Sequence, residues 1–128
     1  MANPAEAYGK MMRHGSDPQE LEGTLLIKAA AKLQKHRDNW DERSPDLLPS
    51  LQYNRKLWSI FAAAVTDAES ELPIEVRQNL ANLAVFVFKQ TLAVQTSSDP
   101  AKLDSLININ RQIAAGLFQK TPDSVPTP

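Results

Sequence analysis

Leu21, Leu25, Ala29 and Leu33 recur every four residues, with Leu26 and Ala30 beside them. Apolar positions three and four apart fall on one face of an α-helix. The rhythm returns three more times. Leu47, Leu51, Trp58, Phe61 and Val65 form a second stripe. Val76, Leu80, Leu83, Val87, Thr91 and Val94 form a third, which Phe86 and Phe88 widen. Leu103, Leu106, Ile107, Ile113, Ala114 and Leu117 form a fourth. No stretch alternates strictly between apolar and polar residues with turn residues at its ends, so strands are not expected. The pattern predicts four long helices of roughly 18 to 23 residues, preceded by a short one near residues 4 to 12. Short connections favour antiparallel neighbours, so the expected fold is an all-α antiparallel bundle.

The chain carries nine prolines, which would ordinarily argue against helices. Their positions reverse that argument. Asn3-Pro4, Asp17-Pro18, Ser44-Pro45 and Asp99-Pro100 each place an N-capping residue directly before proline. Proline at the first helical position sacrifices no bond, because that N–H has no intrahelical partner, and the preceding side chain can accept from the next donors. Asp17 with Glu20 completes a capping box. Leu72-Pro73-Ile74-Glu75 marks a fifth start, with an acid in its first turn. Pro49 crowds the Ser44-Pro45 start and predicts an irregular turn there. Pro122, Pro126 and Pro128 lie in a polar tail expected to stay unfolded. The expected organisation is one helical domain over residues 1–119 and a disordered tail over 120–128.

With 128 residues the chain is long enough to bury a self-supporting core. Fourteen Lys and Arg against fifteen Asp and Glu leave a net charge of -1, which gives no general attraction to nucleic acid or to anionic membranes. There is no cysteine, hence no disulfide, thiol nucleophile or zinc-thiolate site, which suits a reducing compartment. The N-terminus lacks the basic and apolar segments of a secretory signal, and the longest strictly apolar runs, Ile60 to Val65 and Leu83 to Phe88, are far short of the ~20 residues a span needs. The expected location is the cytoplasm.

Catalytic chemistry is poorly represented. His14 and His36 have no carboxylate spacing that would make either a metal site, and His36, between Lys35 and Arg37, suits a helix C-terminus. Gly9, Gly15, Gly23 and Gly116 are scattered and form no phosphate loop, and no serine has the context of a nucleophile elbow. Neither an enzyme nor a bound cofactor is expected. Lys28, Lys32 and Lys35 make a short basic stripe without aromatic platforms for stacking bases, the pattern of an ordinary solvated face.

The unusual positions are polar residues on apolar stripes. Asn54 lies between Leu51 and Trp58, and Asn110 between Leu106 and Ala114, each followed by an arginine, Arg55 or Arg111. Two readings stand. The amides are buried and hydrogen-bonded, fixing helix register as single asparagines do in coiled coils, or they sit at the edge of a groove and bond a partner's backbone. Trp40 lies among polar residues and either staples a linker or anchors a partner. Ala84-Val85-Phe86-Val87-Phe88 is apolar all round, which fits a central helix or a helix offering one face to a partner. A small bundle with surplus apolar surface can take up an amphipathic helix.

These residues also carry a family resemblance. Asp17-x-x-Glu20-x-Glu22, Asn54-Arg55-x-Leu57-Trp58, Leu72-Pro73 with Arg77, Leu83-x-x-Phe86-Val87 and Leu106-Ile107-x-Ile109-Asn110-Arg111-x-Ile113-x-x-Gly116-Leu117 follow one another in the order and spacing of the FlaF flagellar biosynthesis proteins of alphaproteobacteria. The chain resembles that family from about Tyr8 to Leu117. Gln19, Leu21 and Tyr53 depart from its usual residues. The resemblance implies a cytoplasmic helper in flagellum assembly that looks like a flagellin-specific secretion chaperone. It would act alongside FlbT, a regulator of flagellin mRNA translation, and the competing expectation is regulation of flagellin synthesis through FlbT or the mRNA. The expected partner is a terminal helix of flagellin, with no membrane and no direct nucleic-acid contact. Trp58, Phe86 and Phe88 are the expected groove residues, and Asn54, Arg55, Asn110 and Arg111 the expected polar clamps.

Overall fold

The computed structural model describes residues 18–70 and 72–119; the short helix predicted at 4–12, His14 and the tail from 120 lie outside them. The described residues are helical, without strands. Four helices follow in order: α1 (Pro18–Asp38), α2 (Leu47–Thr66), α3 (Ile74–Ser97) and α4 (Leu103–Gln119), with a 3₁₀ turn at Pro100–Lys102 leading into the last.

Among the described residues the proline marks hold to within a few residues, and their deviations have local causes. Pro18 opens α1. Ser98 ends α3 in the left-handed region, at φ 51°, and Asp99 then accepts from the Ala101 N–H at 3.0 Å to start the 3₁₀ turn. Ser44-Pro45 does not itself begin a helix. It forms a turn in which the Leu47 N–H donates to the Ser44 carbonyl at 3.2 Å. α2 starts at Leu47 and places Pro49 inside its first turn, where the missing donor has no partner to lose. α3 begins one residue after Pro73.

α1 packs chiefly on α4, and α2 on α3 and on α1. Arg37 near the end of α1 donates from Nε to Asp104 Oδ1 at the start of α4, at 2.8 Å. At the other end Gly23 of α1 faces the Phe118 ring. The two helices therefore run in opposite directions. The Arg37–Asp104 pair is exposed, so water and salt screen it, and it marks the register more than it holds the fold. The core gathers Leu26, Leu33, Leu51, Leu57, Leu103 and Leu106, each at most 1% exposed. Burying each such side chain stabilises the fold by about 1.5–3 kcal/mol before entropy is counted. Trp40 packs half-buried against this core, which makes it a staple for the α1–α2 connection.

α3 is the uneven member. Its fully buried residues are Ala84, Val87, Thr91 and Val94, with none before Ala84. Thr91 satisfies its hydroxyl by donating to the Val87 carbonyl at 2.7 Å. α3 meets α4 over a short stretch only, near the 3₁₀ turn, where Gln90 donates to the Lys102 carbonyl at 2.9 Å. Its first half diverges from the last turns of α4.

Candidate binding groove and the buried polar cluster

The two stripe asparagines meet inside the bundle. Asn54 on α2 and Asn110 on α4 are both 0% exposed, as is Trp58 one turn beyond Asn54. Trp58 Nε1 donates to Asn110 Oδ1 at 2.9 Å. Asn110 Nδ2 donates to Asn54 Oδ1 at 2.7 Å and to the Leu26 carbonyl of α1 at 3.3 Å. Three helices are thus tied through one amide. Asn54 Nδ2 is buried without a partner. Buried polar groups of this kind fix which residues face one another, because any slip would leave several donors unpaired in a dry interior.

This geometry separates the seven residues expected to touch a partner. Asn54 and Asn110 lie inside the bundle and not at a groove edge; both are covered on all sides. Trp58 is equally buried, with its indole N–H bonded to Asn110, but its ring also backs the apolar groove between α3 and α4. Arg55 and Arg111 are exposed, each because the helix turns about 100° past its buried asparagine. Phe88 is half-buried against the core. Phe86 is 42% exposed on the outer side of α3, alongside Val85 and Leu92. The structure does not bring the seven together as one surface.

What it does form is an apolar groove of about 370 Å³ where α3 leaves α4. Phe61 and Val65 of α2 make the floor, Val76 and Leu80 of α3 one wall, and Ile113 and Leu117 of α4 the other. Phe61 stands edge-on to Trp58, with ring centres 5.7 Å apart, so the groove floor rests directly on the buried cluster. Gln19 and Glu22 in the first turns of α1 supply a polar rim. The volume falls within the ~300–1,000 Å³ of ordinary binding clefts, and an apolar wall with a polar rim suits an amphipathic segment. These six floor and wall residues all stand on the apolar stripes of the sequence, which did not mark them as a groove. The signal it lacked was length: both helices continue past the point where they pack on each other.

The histidine and lysine positions serve packing. His36, 9% exposed, lies with Nε2 3.1 Å from Ser50 Oγ, joining α1 to α2. Lys32 places its ammonium 4.3 Å from the centre of the Tyr53 ring, and partial burial raises the pKa of that tyrosine above its usual value. No three His, Asp or Glu side chains converge among the described residues, and no described helix is long and apolar enough to cross a membrane.

Among the described residues, fold and groove together define a small helical protein with a buried polar registry and an apolar groove. The family model of the flagellar protein FlaF matches residues 4–117, and the chain belongs to that family. No curated protein and no solved structure matches it.

Proposed function

We propose that the chain acts by binding, without catalysis, as a cytoplasmic chaperone that covers a terminal helix of flagellin until export. The observation that carries this reading is the open apolar groove between the first half of α3 and the end of α4, in a protein of a flagellar family. Flagellin subunits polymerise through their terminal helices, and an uncovered apolar stripe of that kind aggregates. A helix laid against Val76, Leu80, Ile113 and Leu117 would hide its own stripe at i, i+3, i+4 and i+7. Ordering the helix on binding uses part of the contact energy, which keeps affinity moderate and release at the export machinery feasible.

Co-purification with full-length flagellin and with flagellin lacking its terminal helices tests the reading, with an RNA and FlbT capture control in parallel. Binding is expected for the full-length subunit and lost with the terminal helices. Leu80→Glu, which puts a charge into the wall, should abolish capture while the helical circular dichroism is kept, because Leu80 is only partly buried. Charge reversal at Arg55 and Arg111 should leave capture intact, since neither lines the groove. Retention of RNA or FlbT without flagellin would replace the chaperone by the regulator.

A further inference from the structure

The groove opens beside the first turn of α1, so the chain that precedes α1 enters the molecule at the groove's rim. That chain carries Tyr8, Met11 and Met12, spaced i, i+3 and i+4, the pattern that puts three apolar side chains on one helical face. Only residues 13–17 separate Met12 from Pro18. Extended, they reach about 20 Å, several times the one-turn length of wall between Val76 and Leu80. The other segment that leaves from the groove is the tail after α4, and between 120 and 128 it offers Val125 as its one large apolar residue among three prolines. Methionine suits such a seat, being unbranched and able to fill an irregular apolar cleft that must also accept another occupant.

We propose that residues 4–12 occupy this groove when no partner is present, seating Tyr8, Met11 and Met12 against Val76, Leu80, Ile113 and Leu117, and that a client helix must displace them. The segment then has two effects. It covers the apolar face of the free protein, and it sets the apparent affinity for the client through the fraction of time it is unseated. The displacement half of this inference rests on the flagellin reading above, and the self-occupancy half does not.

The chain has no cysteine, so Lys10→Cys gives a single attachment point for a nitroxide on the segment while leaving its three apolar residues in place. In the full-length protein the label should broaden the amide signals of Val76, Leu80, Ile113 and Gly116 and spare Lys35 at the far end of α1. Absence of broadening at the groove, or equal broadening at both ends, overturns self-occupancy. A synthetic flagellin terminal-helix peptide is then titrated into the wild type and into Met11→Glu/Met12→Glu. If the seat is filled nine-tenths of the time, the variant should bind about tenfold more tightly. Equal affinity overturns displacement by the client. Broadening that is present while the peptide binds neither form leaves self-occupancy standing and removes the flagellin reading. A thermal melt of the double variant checks that its fold is kept, and the nitroxide measurement does not depend on that variant.

Discussion

Asn110 holds three hydrogen bonds inside the bundle and Asn54 holds one. Their substitutions should therefore differ sharply, although the two positions look alike in sequence. Asn54→Leu removes a buried donor that already lacks a partner but strips Asn110 Nδ2 of one acceptor. One unpaired group replaces another, and the stability change should stay within about 1 kcal/mol. Asn110→Leu leaves the Trp58 indole N–H and the Asn54 carbonyl unpaired as well, at about 1–3 kcal/mol for each buried group. A loss of about 2–5 kcal/mol is expected, a fall of roughly 6–25 °C in Tm for a domain of this size. In the double variant only the Trp58 N–H remains unpaired, so Asn54→Leu should recover much of the loss. Thermal melts of the four proteins form the cycle, and additivity of the two single effects would show that the network does not act as one unit. That both amides interrupt apolar stripes was legible in the sequence. Their meeting was not, because 56 residues separate them and only the packing of α2 and α4 across the core brings them within 2.7 Å.

Helix α3 shows how an element can be half core and half free. Its stripe from Val76 to Val94 is continuous in sequence, yet full burial begins only at Ala84. Periodicity states which face is apolar; it does not state how far the neighbouring helix follows that face. The same limit explains the opposite fates of two glycines. A methyl group added at Gly23 would lie 2.7 Å from the Phe118 ring, whereas one at Gly116 meets nothing within 4 Å. Alanine in a helix interior gains roughly 0.5–1 kcal/mol over glycine. Gly116→Ala should deliver that gain in a denaturant or thermal melt. Gly23→Ala should fall short of it, since Phe118 must swing off α1 to make room. With Phe118→Ala in the background, Gly23→Ala should recover the full helix gain. If both alanines stabilise equally in the native background, the close contact between Gly23 and Phe118 is not part of the fold in solution.

At the scale of the whole molecule, the prolines and stripes made four helices and their order readable, and the family motifs extended that reading to the flagellar class. The groove was hidden because it is a property of divergence between helices, and no local spacing encodes the angle at which two helices part. That angle has a dynamic consequence. The first half of α3 has no fully buried residue before Ala84, so it should open at lower free energy than its second half or than α1 and α4. Native-state hydrogen exchange should show amides between residues 77 and 83 exchanging well before those between 87 and 97. Filling the groove changes this in a way that pure stabilisation would not. A terminal-helix peptide at 100 times its Kd raises global stability by about 2.7 kcal/mol through mass action alone, and every amide that exchanges by global unfolding slows accordingly. Amides in the first half of α3 exchange by local opening, and they slow only if the peptide holds α3 against α4. Protection that rises at residues 77–83 beyond the rise elsewhere therefore locates the occupant between those helices. A uniform rise with no added effect there would place the peptide on another face, and the exposed side of α3 that carries Val85, Phe86 and Leu92 would become the surface to mutate next.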